Sequence, residues 1–163
     1  MKVYWNALYQ DDIRKVAEYD LPWEKMKDSS ILISGATGLI GSFLVDVLMY
    51  RNKWFDMNCK VYAIGRNEQK AKNRFAYCFE NPVFSFFSHD INLPMTGQWD
   101  NIDYVVHLAS NTHPKAYSTD PIGTITTNII GVKNMLDFSV QYHAKRFAFA
   151  SSNEIYGENR GDQ

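Results

Sequence analysis

Short apolar runs alternate along the chain with segments in which apolar residues recur every three or four positions. The short runs are typical of buried strands and the periodic segments of amphipathic helices. Five runs occur, at residues 31–33, 61–64, 83–87, 103–108 and 147–150. Two of them are nearly continuous in apolar residues, which is typical of strands covered on both faces. The pattern therefore predicts an α/β fold, a doubly wound parallel sheet with helices on both faces.

Helical segments connect these runs. The first ends at about residue 51, before an expected loop at 52–58, and its apolar face is formed by Ile40, Phe43, Leu44, Val47 and Leu48. A polar helix is predicted at 68–79. The next helix begins at Pro121, a residue favoured in the first turn. It keeps helical periodicity for about five turns, through Ile122, Ile125, Ile129, Val132, Leu136 and Val140.

Residues 1–28 precede the first predicted strand and are rich in aromatic side chains. Asp11 and Asp12 are typical of the start of a short helix, and Pro22 would end it. The aromatic content is too high for a disordered tail. Two interpretations stay open: an extension that packs over part of the sheet, or an arm that binds a partner. We divide the chain into a helical, aromatic extension at 1–28 and a domain at 29–163.

Three glycines lie between the first strand and the helix that follows it, in the sequence Gly35-Ala36-Thr37-Gly38-Leu39-Ile40-Gly41. Gly35 permits a sharp turn, Gly38 lets the backbone approach a pyrophosphate, and Gly41 lets strand and helix pack closely. The helix start adds free N–H groups and the positive end of a dipole. A purely structural turn is the alternative, but the position between a strand and a helix favours a dinucleotide site.

Other polar positions follow the carboxyl ends of the predicted strands. They are Arg66, Asp90, the loop after Leu108, and the pair Ser151 and Ser152. Ligands of such sheets bind beyond these ends. The agreement of several positions on one edge of the sheet therefore strengthens the prediction of a ligand site.

Charge and composition exclude several other classes of protein. Seventeen basic and eighteen acidic side chains leave a net charge of -1, which gives no electrostatic basis for binding nucleic acid or an anionic membrane. No apolar run approaches membrane-spanning length, and the chain does not start like a signal peptide. Cys59 and Cys78 have no metal-like spacing, and the histidines form no metal motif. We expect a cytoplasmic protein without a metal, membrane or nucleic-acid partner.

Five motifs together resemble the extended short-chain dehydrogenase/reductase superfamily, the NAD-dependent epimerases and dehydratases of nucleotide sugars. Beside the glycine motif they are His89-Asp90-Ile91, His107-Leu108-Ala109-Ser110, Asn128-Ile129-Ile130-Gly131 and Ser151-Ser152-Asn153-Glu154-Ile155-Tyr156-Gly157. The span 107–157 is most similar to UDP-glucuronate decarboxylases. The resemblance covers nearly all of the chain after residue 29 and implies a Rossmann-like NAD(P)-binding domain. Because relatives continue through further strands and a substrate domain, the domain at 29–163 is expected to be incomplete.

The resemblance implies a role for each cofactor position. The glycine turn, including Thr37, Leu39 and Ile40, would hold the pyrophosphate. Asp90 and Ile91 would flank the adenine. The nicotinamide side would be formed by Leu108, Ala109, Ser110, Asn128 and Ser151. For Asn128 the alternative is a buried amide satisfied by the backbone.

Two residues are implied to be catalytic. Ser152 matches the family's catalytic Ser/Thr, whose hydroxyl can bond the sugar oxygen that becomes a carbonyl; a capping hydroxyl is the alternative. Glu154 matches an acidic position that acts on the 4-keto intermediate in dehydratases and decarboxylases, or it is a solvated surface carboxylate. Asn153 stands where dehydratases usually have Asp. Since an amide cannot act as a general acid, epimerisation or decarboxylation is favoured over dehydration.

Arg66 bears on the choice between NAD and NADP. Enzymes that prefer NAD usually place a carboxylate at the end of the second strand, where it binds the ribose 2′-hydroxyl. This chain has Gly65-Arg66-Asn67 there, and a guanidinium suits a 2′-phosphate. Arg66 therefore favours NADP, whereas the similarity to NAD-using decarboxylases favours NAD.

The family's catalytic Tyr-x-x-x-Lys pair does not occur in these 163 residues. The resemblance implies the NAD(P)-binding portion of a homodimeric enzyme that oxidises a nucleotide sugar at C4 by hydride transfer and then epimerises, dehydrates or decarboxylates it. We expect the chain alone to bind a dinucleotide weakly or not at all, and to be inactive. The alternative is a non-catalytic dinucleotide-binding module that senses redox state or serves as a scaffold.

Overall fold

The computed structural model describes residues 3–110 and 118–157, apart from the side chains of Val3, Asn153 and Glu154. Its strands are β1 Ser30–Ser34, β2 Lys60–Gly65, β3 Phe84–Ser88, β4 Tyr104–His107 and β5 Arg146–Phe149. They form one parallel sheet in the order β3-β2-β1-β4-β5. The predicted α/β fold is confirmed, and each predicted strand is found within one residue at either end.

The order of the strands reverses at β1. Ser34, the last residue of β1, pairs with Ile64 of β2 on one side and with His107 of β4 on the other. The chain passes first to β2 and β3 and then returns to β4 and β5, so the connections on the two sides diverge. In such sheets this divergence opens a crevice beyond the carboxyl ends of the two central strands.

The helices are α1 Ala7–Ala17, α2 Leu39–Trp54, α3 Glu68–Arg74, α4 Pro121–Thr126 and α5 Val132–Gln141. A π-helical segment, Thr127–Gly131, joins α4 to α5, and short 3-10 turns lie at Val3–Trp5, Trp23–Met26 and Asn153–Tyr156. None of the helices in the described ranges has the length and apolar content to cross a membrane.

Two helix ends differ from the sequence prediction. Helix α2 continues to Trp54, into the segment expected to be a loop, because the Asn52 side chain bonds both the amide and the carbonyl of Cys59 at 2.8 Å. Helix α3 ends at Arg74 instead of residue 79. The next residue, Phe75, is fully buried in the core and leaves the helical conformation.

The start of α1 was also predicted wrongly. The helix begins at Ala7, where the Asn6 side chain accepts hydrogen bonds from the amides of Leu8 and Tyr9. Asp11 instead lies within the helix and pairs with Arg14 and with a neighbouring lysine. An asparagine at the N-cap satisfies the first unpaired amides of a helix, so Asn6 was the signal that marks this start.

The core has two layers, one on each face of the sheet. The larger layer lies under α2 and α3 and contains Ile31, Ile33, Val45, Leu48, Val61, Ala63 and Phe75. The second lies under α5 and contains Leu32, Tyr62, Ile64, Ile102, Val105, Met135 and Phe138. Since alternate side chains of a strand point to opposite faces, β1 contributes to both layers and is buried throughout.

The apolar periodicity of residues 121–140 identified a helical segment but not its buried side. The side chains of Ile122, Ile125 and Val140 are 78%, 59% and 75% exposed. The side toward the sheet carries smaller or polar residues, among them Thr124, Thr127, Gly131, Asn134 and Ser139. At Gly131 a Cβ would lie 2.7 Å from the Cδ1 of Ile91, so the close approach to the end of β3 requires small residues on this side.

A buried carboxylate connects the N-terminal helix to the helices on one face of the sheet. Asp46 of α2 is fully buried and accepts hydrogen bonds from the hydroxyls of Tyr9 and Tyr77, each at 2.6 Å. Arg74, at the end of α3, forms an ion pair with the same carboxylate. Burial and the nearby Asp46 charge raise the pKa of Tyr77, which keeps the hydroxyl protonated as a donor. The carboxylate therefore holds α1, α2 and α3 together.

We expect the substitution Asp46→Ala to destabilise the fold by about 3–5 kcal/mol, because it leaves the half-buried Arg74 charge and two tyrosine hydroxyls without their acceptor. Asp11→Ala is the control, since its ion pairs are exposed and are expected to contribute less than about 1 kcal/mol. Urea unfolding measures both. A loss for Asp46→Ala no larger than for Asp11→Ala would contradict the structural role of this carboxylate.

Candidate dinucleotide site

The turn between β1 and α2 brings backbone segments closer than side chains would permit. Gly35 has a positive φ of 68°, and a Cβ there would lie 2.7 Å from the amide nitrogen of Ala109. A Cβ at Gly41 would lie 2.5 Å from the carbonyl oxygen of Gly35. Both positions require glycine, because the backbone that follows β4 leaves no space for a side chain at Gly35, and the backbone of Gly35 and Ala36 leaves none at Gly41.

The same turn leaves a set of amides without an acceptor. The amide of Gly38 donates to Gly35 at 2.9 Å, and that of Ser42 donates to Gly38 at 3.0 Å. No side chain of the described residues caps the start of α2. Within residues 3–110 and 118–157, no acceptor is found for the amides of Thr37, Leu39, Ile40 and Gly41. Unpaired amides at a helix start are the donors that bind an anionic group such as a diphosphate.

A cavity of about 1060 Å³ lies at the carboxyl ends of the strands, and the glycine turn forms part of its wall. The structure brings all of the predicted cofactor positions and Ser152 to this one cavity. They are Gly35, Thr37, Gly38, Leu39, Ile40, Gly41, Arg66, Asp90, Ile91, Leu108, Ala109, Ser110, Asn128, Ser151 and Ser152. The cavity formed by the described residues is large enough for a ligand bigger than most single-ring compounds.

Several residues of the cavity wall were not predicted from the sequence, among them Lys70, Thr127, Phe149 and Ile155. Lys70 had a recognisable signal, because it follows Arg66 by four residues in a predicted helix. Ile155 lies in the motif at 151–157 and Phe149 in the fifth predicted strand, but neither was assigned to the site, and Thr127 had no signal. Their positions depend on how the end of β5 and the π-helical segment meet the sheet.

The β2 side of the cavity carries two cations. Arg66 follows β2 and Lys70 lies in α3, and neither has an ion-pair partner among the described residues. Asp90 follows β3 on the same wall. The next residue, Ile91, is buried, and its carbonyl accepts a hydrogen bond from Asn134 at 2.8 Å. This side therefore offers positive charge from α3 and a fixed backbone after β3.

The β4 side is organised by hydroxyl groups. The Ser34 hydroxyl lies 3.3 Å from the amide of Leu108 and 3.4 Å from that of Ala109. The Ser110 hydroxyl donates to the Asn128 side chain at 2.7 Å. Asn128 is exposed, so the alternative of a buried amide satisfied by the backbone is wrong. Instead, Asn128 connects the π-helical segment to the loop after β4.

The two candidate catalytic residues, Ser152 and Glu154, follow β5. Ser151 and Ser152 are exposed and line the cavity. The amide of the preceding residue, Ala150, donates to the carbonyl of His107 at 3.1 Å, which continues the pairing of β4 and β5 up to the serines. Glu154 lies in a 3-10 turn, but its side chain is outside the described part of the structure. Its catalytic role stays a prediction.

Two further features of the described residues bear on the choice of site. They contain no group of three or more His, Cys, Asp or Glu placed to hold a metal ion. A smaller cavity, of about 660 Å³, is lined by Tyr4, Tyr50, Tyr77 and residues that precede β2 and β3. It lies at the amino ends of those strands and contains none of the predicted site residues.

Comparison with known proteins agrees with the sequence motifs. UDP-glucuronic acid decarboxylase 3 of Arabidopsis thaliana is 36% identical over 128 residues, which cover 78% of this chain and 35% of the relative. UDP-glucuronic acid decarboxylase 2 of the same plant is 32% identical over 134 residues, which cover 82% of this chain and 28% of the relative. The chain therefore spans about a third of the length of these relatives.

The fold comparison gives the same result. The structure of UDP-N-acetylglucosamine 4-epimerase from Methanobrevibacter ruminantium M1, solved with UDP-N-acetylmuramic acid, is 25% identical with a TM-score of 0.64, over 84% of this chain and 42% of the epimerase. A family model of the NAD dependent epimerase/dehydratase family matches residues 31–163. That span includes the glycine turn and the four other motifs, as the sequence resemblance predicted. The chain belongs to the NAD dependent epimerase/dehydratase family.

Proposed function

We propose that this chain is the dinucleotide-binding part of an enzyme that modifies a nucleotide sugar, with the sugar oxidised at C4 by hydride transfer. The observation that carries the proposal is the set of unpaired amides at Thr37, Leu39, Ile40 and Gly41. They stand at a helix start beside the crevice where the strand order reverses. That is the position at which sheets of this kind bind a pyrophosphate.

Three groups of residues along the cavity would each hold one part of the dinucleotide. The glycine turn would hold the diphosphate. Asp90 and Ile91 would flank the adenine, with the carboxylate accepting from the amino group. The nicotinamide side would be formed by Ser110, Asn128 and Ser151, beyond β4 and β5. A bound nicotinamide supplies the hydride acceptor for this chemistry. Because these amides are unpaired, we expect the chain alone to bind a dinucleotide weakly and not to lack binding altogether.

The cations beside β2 support NADP as the cofactor. Arg66 and Lys70 line the cavity, and no carboxylate stands at the end of β2 to bind a ribose 2′-hydroxyl. A 2′-phosphate would pair with the guanidinium and with the ammonium group one helical turn later. We therefore propose that the protein prefers NADP, within a family described as NAD dependent.

The residues after β5 support chemistry on a sugar. Ser152 is one of the residues that line the cavity, and its hydroxyl would bond the sugar C4 oxygen as that oxygen becomes a carbonyl. Glu154 would act on the resulting 4-keto sugar as a base or an electrostatic partner. Since Asn153 cannot protonate a leaving hydroxyl, we propose decarboxylation or epimerisation over dehydration. The similarity to UDP-glucuronic acid decarboxylases suggests a UDP-linked sugar acid as the substrate.

The exposed apolar side of α4 and α5 supports a homodimer. Ile122, Ile125 and Val140 are more than half exposed, and β5 pairs only with β4 among the described strands. Large exposed apolar surfaces are typical of association sites. The proposed division into an extension at 1–28 and a cofactor domain at 29–163, and the cytoplasmic location, stay predictions.

Titration of the labelled protein with NADP⁺ tests the glycine turn. We expect the amide resonances of Thr37, Leu39 and Ile40 to shift, because these amides would gain an acceptor. Gly38→Ala is expected to weaken binding about tenfold, since its Cβ, only 3.1 Å from the carbonyl oxygen of Gly35, would stand where the diphosphate approaches.

Gly157→Asn is the control for that substitution, because it adds a side chain to a glycine that has open space around it. Gly157 has a positive φ of 68°, whereas Gly38 has a φ of -76°, and no described atom lies within 4 Å of the Cβ added at Gly157. Asparagine tolerates this conformation, so affinity should not change. The absence of amide shifts at millimolar dinucleotide, or equal affinity of Gly38→Ala and wild type, would contradict the proposed site.

Substitution of the cations tests the cofactor preference. Arg66→Ala is expected to weaken NADP⁺ binding about tenfold and to leave NAD⁺ binding within about twofold, because only NADP⁺ has the 2′-phosphate. Lys72→Ala serves as control, since Lys72 pairs with Glu68 on the exposed side of α3. Equal or tighter binding of NAD⁺ by the wild type would refute the preference.

The reaction is tested with the complete gene product that contains this chain. With UDP-glucuronic acid as substrate, we expect transient formation of reduced cofactor, and Ser152→Ala should lower turnover about 100-fold with cofactor affinity unchanged. Cofactor binding without any hydride transfer from nucleotide sugars would instead favour the non-catalytic module.

A further inference from the structure

A buried histidine stands behind the glycine turn. His107, the last residue of β4, is fully buried, and its Nδ1 lies 2.6 Å from the hydroxyl oxygen of Ser34 at the end of β1. Phe147 and Phe149 of β5 stack against the imidazole, with ring centroids 6.4 and 5.6 Å away. Its Nε2 is buried without a hydrogen-bond partner among the described residues.

The hydrogen bonds of Ser34 assign the protons of this pair. The Ser34 hydroxyl oxygen accepts from the Ala109 amide, and it shares the Leu108 amide with the backbone carbonyl oxygen of Ser34, which lies 3.2 Å from that nitrogen, so both of its lone pairs are engaged. Its single proton can then be directed only to Nδ1 of His107, which must be an unprotonated acceptor. The assignment follows from the donors and acceptors present, and it places the ring proton on Nε2.

We propose that His107 is a positioning residue of the cofactor site, which orients the Ser34 hydroxyl so that it holds the Ala109 amide after β4. The effect on dinucleotide binding rests on the function proposed above. Without an acceptor at Nδ1, the hydroxyl proton would turn to another acceptor, and the lone pair would turn away from the Ala109 amide. The Leu108 amide would keep the carbonyl oxygen of Ser34 as its acceptor.

The Ala109 amide matters because the backbone of Leu108 and Ala109 lies directly against the glycine turn. A Cβ on Gly35 would be 2.7 Å from the nitrogen of Ala109 and 2.8 Å from the carbonyl carbon of Leu108. The next residue, Ser110, bonds Asn128 across the cavity wall. The His107–Ser34 pair therefore supports both the turn that would hold the diphosphate and the wall beside the nicotinamide.

The unpartnered Nε2 supports a specific need for the imidazole. A polar N–H buried without a partner destabilises a fold, and leucine at this position would avoid that penalty beside Phe147 and Phe149. Leucine would, however, leave the Ser34 proton without its acceptor. The hydrogen bond that Nδ1 accepts from Ser34 therefore accounts for a polar ring at this position.

The arrangement has a pH dependence of defined sign. Burial lowers the pKa of His107 below its ordinary value of 6.5. The groups that face the ring from β1 and β5 are Ser34, Phe147 and Phe149, none of them charged, and no charged group of the described chain contributes to the change in pKa. The unfolded chain takes up the proton at higher pH, so the stabilising contribution of the neutral ring is complete above about pH 6.5 and is lost as the pH falls below it.

The experiment is a double-mutant cycle on the 163-residue protein with three measurements: the NADP⁺ dissociation constant, the hydrogen exchange of the Ala109 amide, and the nitrogen-15 shifts of the His107 ring. The Leu108 amide, which also bonds the Ser34 carbonyl, is the internal control for the exchange. His107→Leu and Ser34→Ala should each speed exchange and raise the dissociation constant about tenfold, and the double variant should be no worse than either. His107→Asn should restore both, because its Oδ1 replaces Nδ1 as acceptor.

The ring shifts of the wild type should place the proton on Nε2, a result that needs no substitution and is independent of whether a variant folds. A proton on Nδ1, additive effects of the two substitutions, or unchanged exchange in Ser34→Ala would overturn the inference. If the wild type binds no dinucleotide, the proposed function fails, whereas the exchange and ring measurements still decide whether His107 orients Ser34.

Discussion

The structure depends on one close contact of backbone with backbone, at the turn between β1 and α2. Gly35 lies against the backbone after β4, and Gly41 lies against Gly35 itself. Because no side chain intervenes, the first turn of α2 begins directly over the end of the central strand, and the amides of Thr37, Leu39, Ile40 and Gly41 have no acceptor among the described residues. The anion site is thus a consequence of how tightly the sheet and the helix pack.

The rest of the fold keeps that contact in place. Strand β1 is buried on both faces and paired on both sides, so its end is held by the whole sheet. On the helix side, the buried carboxylate of Asp46 attaches α2 to α1 and α3. On the β4 side, Ser34 holds the amides of Leu108 and Ala109. The N-terminal segment contributes through Tyr9, although the family match begins at residue 31.

The sequence predicted the strands and the cavity wall well, because strands alternate with helices and their carboxyl ends share one edge of the sheet. Features that depend on contacts between residues far apart in the sequence were not predicted. The Asn6 cap was a local signal that was overlooked, whereas the buried side of 121–140 is decided by the close approach of Gly131 to Ile91. The pairing of Ser34 with His107 follows from the register of β1 and β4, which periodicity alone does not give.

The most direct test of this account is the structure of the protein in complex with NADP⁺. In that complex, diphosphate oxygens should lie within about 3 Å of the amide nitrogens of Thr37, Leu39 or Ile40, and the nicotinamide should lie toward Ser110. A dinucleotide bound at the smaller cavity at the amino ends of β2 and β3, or a glycine turn whose amides are all bonded within the protein, would contradict it.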